Sequence, residues 1–518
     1  MKLTSEQIEI VKSQGDIKIN AVAGSGKTTT LIAYAKERQS SGKILYIAFN
    51  KSVKIEAEKK FAEEGLTNVR IETAHSLAYD YIVRRGGYKV KKEGSYKTTE
   101  IAEILGLNNS GSQKHAEYVL ANHINKFISY FCNSDKTKVQ DLNYEDIVVD
   151  YEAKIFVQNF MPHILKQTRI LLSKMDKCEI EITHDFYLKK FQQQRPQLDF
   201  DYILFDEGQD ASEAMLDVFL SQKGTKIIVG DTHQQIYAWR YAINSLEKVN
   251  FPVFHLSSSF RFSNEIASLA TRILKWKHNL GLNGKEIING YGNSENVKIK
   301  AVLARTNMGL LVKAIELLIE KKEIKTLYFE GRFERYTYAD EGASIYDVLN
   351  LYLGKKNLIK DKLIASMADI DELVEYIEKT EDSQLGMIVE VVKKYGERLP
   401  EYISTIKRNH IETDDKNNAD MIFSTVHKCK GMEYDEITLM DDFINEDKIK
   451  KLVEKFGIKK LNIKQLNEEI NLLYVAVTRT KNRLNIPSDL LPISSIRAIV
   501  TSSDIALNPL SEKIENSN

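Results

Sequence analysis

The chain has 518 residues, 43% hydrophobic and 28% charged, which is enough for several packed domains. Its 73 basic residues balance its 73 acidic residues, which excludes a uniformly basic surface and limits any nucleic-acid contact to a local groove. Three widely spaced cysteines exclude a zinc centre, an iron–sulfur cluster and a disulfide framework. A polar N-terminus and the lack of a long apolar stretch predict a cytoplasmic protein with no membrane partner.

A candidate phosphate-binding loop lies near the start of the chain. Residues 21–28 (AVAGSGKT) follow a short apolar run and open an amphipathic run, the strand–loop–helix setting that such a loop needs. Backbone N–H groups and the helix N-terminus would bind the phosphates. Lys27 would reach the β- and γ-phosphates, and the Thr28 hydroxyl would coordinate Mg²⁺. The alternative is a Gly-Ser turn that caps a helix, since Ala21 stands where the strict pattern has Gly.

The residues around this loop predict the first sheet and its insertion. Residues 3–7 (LTSEQ) have the pattern of a helix N-cap. Strand-like and helical runs alternate as far as residue 84, which indicates a doubly wound parallel sheet. From 85 to 180 helical periodicity dominates and basic residues are frequent, so a helical insertion is expected. Those basic side chains face either nucleic acid or only solvent.

Two consecutive carboxylates, Asp206 and Glu207, follow a β-like apolar run. Asp206 would hold Mg²⁺ through a water, and Glu207 would orient and deprotonate the attacking water. An Asp-Glu pair at a strand end is normally just solvated. In a chain that already carries a phosphate loop, the catalytic interpretation is favoured.

The next strand-like run, 226–230, leads into a segment with several candidate ligand contacts. Gln234 can sense a γ-phosphate while its neighbours touch another ligand. Trp239 beside Arg240 is an aromatic and cationic pair suited to stacking a base. Core packing is the alternative for Trp239.

A second α/β series begins at residue 251. Strand-like runs recur within 297–306, 326–330 and 421–426, while 331–414 is charged, helical and loop-like. This pattern predicts a second parallel-sheet domain with a short insertion of its own. The residues after this domain carry Pro, Ser and Asn and are expected to form a loosely attached tail.

Taken together, these blocks resemble the superfamily 1 helicases of the UvrD/Rep/PcrA class, and within it the helicase portion of the F-box DNA helicases. The blocks run in family order and cover nearly the whole chain except the tail. They are AVAGSGKT (21–28), FNKSV (49–53), THDFYLK (183–189), FDEGQD (205–210), VGDTHQQIYAWR (229–240), SFRF (259–262), TVHKCKGMEYD (425–435) and EEINLLYVAVTRTKNRL (468–484).

The resemblance implies an α/β fold of two RecA-like parallel-sheet P-loop domains, each with a mainly helical insertion. The expected segments are a first core domain (1–84 and 181–250), its insertion (85–180), a second core domain (251–330 and 415–490), its short insertion (331–414) and a tail (491–518). No F-box segment is expected ahead of the phosphate loop.

The resemblance also implies roles for individual residues, with ATP and Mg²⁺ as cofactors. Gln7 would read adenine, Phe260 would stack on it, and Glu433 would touch the ribose. Arg261 and Arg479 would act as arginine fingers. The residues implied to bind ATP or to catalyse its hydrolysis are Gln7, Ala23, Gly24, Ser25, Gly26, Lys27, Thr28, Thr29, Asp206, Glu207, Gln234, Phe260, Arg261, Glu433 and Arg479. The residues implied to line a single-strand track are Phe49, Asn50, His75, Trp239, Arg305, Thr425 and His427.

Three positions depart from the family pattern. Gly208 replaces the usual Ala, a change expected to be tolerated because both residues are small. Tyr241 stands where a Gly usually follows Arg240, and Thr29 stands where bacterial relatives often carry an adenine-facing Arg. The short second insertion implies weak autoinhibition.

The expected function is ATP-driven movement on single-stranded DNA, 3′→5′, with strand separation at junctions or overhangs during repair, recombination or replication. One alternative is a translocase that strips proteins such as recombinase filaments. Another is an ATP-gated DNA-sensing subunit that partners a separate nuclease in phage defence. RNA is a minor option, because no residue clearly reads a 2′-hydroxyl.

Overall fold

The computed structural model describes residues 2–40, 42–92, 94–107, 115–284, 287–293, 297–338, 343–380, 382–492 and 507–510. The strands are β1 (Ile17–Ala21), β2 (Ile44–Ala48), β3 (Val69–Thr73), β4 (Tyr202–Phe205), β5 (Thr225–Gly230), β6 (Val253–Leu256), β7 (Ser258–Ser259), β8 (Asn289–Gly290), β9 (Lys300–Ala304), β10 (Leu327–Phe329), β11 (Met421–Thr425), β12 (Tyr434–Leu439), β13 (Thr480–Pro487) and β14 (Leu507–Leu510).

Short 3₁₀ and π turns join the α-helices to the strands and to each other. The helices are α1 (Ser5–Lys12), α2 (Lys27–Glu37), α3 (Lys51–Glu63), α4 (Ala74–Ala78), α5 (Arg84–Gly86), α6 (Thr98–Leu105), α7 (Ala116–Asn133), α8 (Tyr151–Asp176), α9 (His184–Gln194), α10 (Glu213–Leu220), α11 (Ser245–Lys248), α12 (Asn264–Leu274), α13 (Asn307–Ile315), α14 (Ile345–Tyr352), α15 (Lys362–Ser366), α16 (Ile370–Thr380), α17 (Ser383–Tyr395), α18 (Leu399–Arg408), α19 (Val426–Cys429), α20 (Glu446–Phe456) and α21 (Ile463–Val477).

The first sheet has six parallel strands in the order β3-β2-β4-β5-β1-β6. All five residues of β2 are buried, as expected for a parallel strand covered by helices on both faces. In a parallel sheet the carboxyl ends of the strands meet at one edge. Because β4, β5 and β1 are neighbours, the loop after β1, the carboxylates after β4 and the segment after β5 are brought together.

The strand β6 corrects the predicted boundary between the core domains at residues 250 and 251. The sequence predicts this segment in the second core domain, but it pairs in parallel with β1 and completes the first sheet. The Val22 N–H also donates to the Leu256 carbonyl at 3.0 Å. The apolar sequence of β6 is compatible with either sheet. Only its long-range backbone pairing with β1 shows which sheet it joins.

The second sheet also has six parallel strands, in the order β10-β11-β9-β12-β13-β14. Two parallel sheets with helical insertions confirm the predicted fold class. The strand β14 lies within the predicted tail, and it forms one edge of this sheet by pairing with β13.

The two insertions pack against each other. The first inserts α6, α7 and α8 between β3 and β4, and the second inserts α14 to α18 between β10 and β11. Lys126 Nζ, on α7, donates to the carbonyl of Thr380, at the end of α16, at 2.6 Å. Apolar side chains of both insertions join one continuous core. In the described part of the chain, no helix is both long and apolar enough to cross a membrane.

Candidate nucleotide site and nucleic-acid track

The loop between β1 and α2 has the geometry of a phosphate cradle. Gly24 and Gly26 adopt positive φ angles of 73° and 78°, which side chains disfavour. A Cβ on Gly24 would lie only 2.7 Å from the Cβ of Arg261, so the loop needs glycine there. The hydroxyl of Ser25 is buried and has no hydrogen-bond partner among the described residues. A buried unsatisfied hydroxyl is costly, and a phosphate oxygen would satisfy it.

Lys27 lies against the two carboxylates that follow β4. Its Nζ is 2.7 Å from Glu207 Oε1. Burial opposes the charge of Lys27, but Glu207, Asp206 and Asp231 outweigh it and raise the lysine's pKa. Burial raises the pKa of Asp206, and the neighbouring Glu207 charge adds to that rise. Burial also disfavours ionised Glu207, yet Lys27 and Lys430 together lower its pKa. At neutral pH Glu207 is therefore ionised, and it holds its charge to a lower pH than Asp206 does.

The backbone after β4 is strained to present Glu207. Its φ is +54°, a left-handed value that is uncommon for a residue with a side chain. Gln209 Nε2 donates to Glu207 Oε2 at 2.5 Å and fixes the carboxylate. A Cβ on Gly208 would lie 2.5 Å from Ile228 Cγ1, so Gly208 lets β5 approach closely. In this chain Gly and Ala are not interchangeable at position 208 without a shift of Ile228.

Asp206 and Asp231 are each held by a tyrosine. The hydroxyl of Tyr46, on β2, donates to Asp206 Oδ2. The hydroxyl of Tyr474, on α21, donates to Asp231 Oδ2 at 2.9 Å. The second contact crosses from the second core domain to the first, because Asp231 directly follows β5.

Gln234 and Arg479 meet at the junction of the two sheets. Gln234 Nε2 donates to Asp231 Oδ2 at 2.8 Å, and Gln234 Oε1 accepts from Arg479 Nη2 at 3.2 Å. Arg479 is 1% exposed, and burial lowers its pKa to about 10, so it remains a cation at neutral pH. This buried guanidinium reaches the site from the loop between α21 and β13.

Arg261 and Glu433 were assigned different roles, but they contact each other. Arg261 Nε donates to Glu433 Oε1 at 2.8 Å, and Arg261 Nη1 donates to the Thr478 carbonyl at 2.9 Å. Burial disfavours ionised Glu433, but Arg261 outweighs it and lowers the carboxyl pKa. Thr478 precedes Arg479, so the two arginines lie beside one another.

The other side of the phosphate loop carries Gln7 and Phe260. Thr4 and Gln7 form a capping box at the start of α1, which confirms the predicted N-cap. Gln7 Nε2 also donates to Thr30 Oγ1 at 3.1 Å, and it lies beside Gly26. The Phe260 N–H donates to the Gly24 carbonyl at 2.9 Å, and 51% of the residue is exposed. An exposed aromatic ring next to a phosphate loop is available to stack on a base.

Among the residues predicted to contact single-stranded DNA, Trp239 is an exposed aromatic residue. It is 57% exposed, and the guanidinium of Arg240 lies 4.9 Å from its ring centroid. Trp276, the other tryptophan of the chain, is 2% exposed. Trp276 therefore packs in the core, whereas Trp239 does not.

Arg305 and His427, two other predicted track residues, already have partners within the chain. Arg305 forms two hydrogen bonds of 2.6 Å with Glu469. His427 Nε2 donates to the Ile236 carbonyl at 3.0 Å, and burial lowers its pKa to about 4. Thr425 is 5% exposed.

The remaining three lie on the first core domain. The ring of Phe49 stacks on Tyr237 with centroids 5.3 Å apart. Asn50 is exposed and caps α3, accepting from the Val53 N–H at 2.9 Å. His75 lines a pocket of about 410 Å³ together with Lys54 and Glu72.

Several residues that contact the candidate site or the track are not predicted from the sequence. Lys430 pairs with the buried Asp210 and donates to the Gln234 carbonyl at 2.6 Å. Glu468 Oε1 accepts the Ala238 N–H, next to Trp239, at 3.0 Å. Lys430 and Glu468 lie inside the sequence blocks that carry the family resemblance, and those blocks could have indicated both residues. Lys277 lies in none of them, yet its buried amine contacts His233 Nδ1 at 2.7 Å and Asn471 Oδ1 at 2.6 Å.

Comparisons with known proteins agree with this geometry. Residues 3–248 match the UvrD/REP helicase N-terminal domain. The chain is 31% identical to F-box DNA helicase 1 of Gallus gallus and 28% identical to F-box DNA helicase protein 1 of Schizosaccharomyces pombe. Each match covers 93% of this chain but 49% and 57% of those proteins, so the chain spans about half of their length. It is 24% identical to Gabija protein GajB of Bacillus cereus, over 94% of that protein.

Proposed function

The chain belongs to the UvrD/Rep/PcrA class of superfamily 1, and from that premise we propose that it hydrolyses ATP to move along single-stranded DNA. The observation that carries the proposal is the contact of Arg479 with Gln234. It brings a cation from the second core domain to the segment that follows β5 in the first. A site completed from two domains can couple nucleotide hydrolysis to their relative movement.

The residues around the loop fit a bound nucleotide. Lys27, the loop amides and the unsatisfied Ser25 hydroxyl would hold the phosphates. Thr28 and Asp206 would hold Mg²⁺, which usually keeps waters and phosphate oxygens as its other ligands. The described residues contain no group of three metal-binding side chains, and such a partly hydrated ion needs none. When bound, Mg²⁺ would neutralise charge on the phosphates.

Glu207 is proposed to act as the general base toward the attacking water. It is ionised, oriented by Gln209 and paired with Lys27. Binding of a triphosphate would give Lys27 a stronger anionic partner and release the Glu207 carboxylate for the water. Arg261 and Arg479 would stabilise charge that develops on the γ-phosphate.

Trp239 is proposed to stack on a base and to link the DNA to the ATP site. It lies five residues after Gln234, and Glu468 on α21 holds the backbone between them. Stacking grips every base, so binding is expected to be independent of sequence. The proposed substrates are single strands and DNA junctions or overhangs.

Direction of movement is proposed as 3′→5′. The test is strand separation by the purified chain on partial duplexes that carry either a 3′ or a 5′ overhang. Separation from the 3′ overhang alone is expected. Separation from the 5′ overhang alone would contradict the direction, while hydrolysis without separation would point to protein stripping or DNA sensing.

A second candidate function is that of an ATP-gated DNA-sensing subunit beside a separate nuclease. It is favoured by the match to Gabija protein GajB, which covers 93% of this chain and 94% of that protein. This candidate predicts stable co-purification with a partner and activation by DNA ends. A chain that separates strands alone, with no partner retained at native expression, would contradict it.

A further inference from the structure

Tyr291 lies beside Phe260 at the mouth of the candidate nucleotide site. The two rings are stacked, with centroids 6.3 Å apart and planes inclined by 28°. Tyr291 is 65% exposed and Phe260 is 51% exposed. Two adjacent exposed aromatic rings form an apolar surface that is open to a ligand. Tyr291 lies in none of the sequence blocks that indicated the site.

The segment that carries Tyr291 is fastened to the backbone around Phe260. β8 pairs in parallel with β7, so Ser259 lies opposite Gly290. The Tyr291 N–H then donates to the Ser259 carbonyl at 2.8 Å, and the Gly292 N–H donates to the Phe262 carbonyl at 2.9 Å. Tyr291 is therefore held at a fixed position relative to Phe260.

The two glycines that flank Tyr291 permit this close approach. A Cβ on Gly290 would lie 2.3 Å from the Ser263 carbonyl oxygen, and a Cβ on Gly292 would lie 2.4 Å from the Arg261 carbonyl carbon. Both clashes are with backbone, which cannot move aside like a flexible side chain. The Gly-Tyr-Gly segment thus presents one side chain, and that side chain stacks on Phe260.

We propose that Tyr291 is a positioning residue for the nucleotide base: its ring holds Phe260 in the orientation that stacks on adenine. This inference rests on the proposed ATP site. About half of Phe260 stays exposed although Tyr291 stacks on it, so ring surface remains for a base. The backbone N–H of Phe260 donates to the Gly24 carbonyl, which keeps Phe260 beside the phosphate loop.

The stack acts on the base and not on the phosphates, and this separates it from a general structural role. Aromatic pairs add about 0.5–1.5 kcal/mol beyond the area they bury, which corresponds to a change in affinity of about 2- to 10-fold. A ligand with a base should feel that change. Inorganic triphosphate, which has no base, should not.

The experiment compares calorimetric binding of AMP-PNP and of inorganic triphosphate, both with Mg²⁺, to four forms of the full chain. They are the unaltered chain, Tyr291→Ala, Tyr291→Phe and the control Tyr151→Ala, which removes a tyrosine that is 74% exposed on α8. Tyr291→Ala is expected to weaken AMP-PNP about 2- to 10-fold and to leave inorganic triphosphate unchanged. Tyr291→Phe and Tyr151→Ala are expected to bind both ligands as the unaltered chain does.

Two results would overturn the inference. One is equal AMP-PNP affinity for Tyr291→Ala and the unaltered chain. The other is an equal loss of AMP-PNP and inorganic triphosphate, which would mean that the phosphate loop had changed. Gly290→Ala supplies a second variant, because its Cβ would push the segment off Ser263, and it should reproduce the selective loss. Because binding is measured without hydrolysis or DNA, the result tests the role of Tyr291 even if the chain does not move along DNA.

Discussion

The candidate nucleotide site and the predicted single-strand track differ in what their residues contact. Around the phosphate loop, predicted residues contact one another: Lys27 pairs with Glu207, and Arg479 donates to Gln234. Along the track, Trp239 meets His427 edge to face, but other predicted residues contact partners that were not predicted, as Arg305 does with Glu469. Trp239 also projects into solvent.

The difference follows from burial. Charged groups taken out of water need partners, so a buried catalytic site has to be assembled before its ligand arrives. Arg305 is only partly buried, so in the proposed function exchange of its carboxylate partner for a DNA phosphate would cost less. Variants at the ATP site should therefore change the rate of hydrolysis, and variants along the track should change its dependence on DNA.

Arg479→Ala should produce the largest effect, because it removes the cation that the second core domain supplies. An arginine finger contributes ~10³–10⁵ in rate, so kcat should fall by that order while ATP binding weakens far less. Steady-state hydrolysis and AMP-PNP binding measure the two effects. Arg483→Ala, at an exposed position on β13, is the control. An unchanged kcat would remove the finger role.

Glu207→Gln should lower kcat by ~10²–10⁴, because the amide cannot accept the proton of the attacking water. Single-strand binding should remain measurable by fluorescence anisotropy. Glu63→Gln, on the exposed face of α3, is the control. Normal turnover by Glu207→Gln would show that another group acts as the base.

Trp239→Ala should weaken single-strand binding by roughly 1–3 kcal/mol, the value of one stacked base, and leave DNA-free hydrolysis unchanged. Its unfolding midpoint should stay the same because the ring is exposed. Trp276→Ala should do the reverse and lower the free energy of unfolding by ~3–5 kcal/mol, since that ring is buried. Loss of the fold in Trp239→Ala would contradict the DNA-contact role and favour a packing role for Trp239.

Gly208→Ala should lower the free energy of unfolding by ~1–3 kcal/mol, because the new Cβ overlaps the buried Ile228. The penalty should shrink in an Ile228→Ala background, which removes the overlapping atoms. Urea unfolding of the two single variants and the double variant measures this coupling. Equal penalties in both backgrounds would mean that the close approach of β5 does not require glycine.

The ionisation of Glu468, which holds the backbone beside Trp239, should make the stability of the fold depend on pH. Burial raises its pKa to about 7, from an ordinary value of 4.5. A raised carboxyl pKa stabilises the fold at low pH, and this stability is lost as pH rises from 4.5 through 7. The free energy of unfolding of Glu468→Gln, relative to that of the unaltered chain, should therefore rise by about 1–2 kcal/mol from pH 5 to pH 8. This value is reduced for the partial exposure of the side chain. Urea unfolding at both pH values tests it, and a constant difference would contradict the shift.

The sequence predicted most of what is local. The phosphate loop, the carboxylates after β4 and the capping box of α1 depend on residues within a few positions of each other, and short patterns indicate them. The two-sheet fold follows from the alternation of strands and helices. The exposure of Trp239 and the burial of Trp276 depend on tertiary packing, and no local pattern separates them.

The remainder depends on long-range contacts. The pairing of β6 with β1 and the bridge from Lys277 to Asn471 join residues that are about 200 or more positions apart. Tyr241 shows the same limit. Its φ is +58°, which favours glycine, yet its hydroxyl donates to the Lys126 carbonyl in the first insertion at 3.0 Å. A side chain was unexpected there because its partner lies on a different element.

The most direct test of coupling between the candidate nucleotide site and the single-strand track is the steady-state rate of ATP hydrolysis by the purified chain as single-stranded DNA is added. A large, saturable rise in kcat is expected, with an affinity for DNA that falls as salt increases. The same kcat with and without DNA, under conditions where the chain binds both ligands, would contradict a DNA-driven motor.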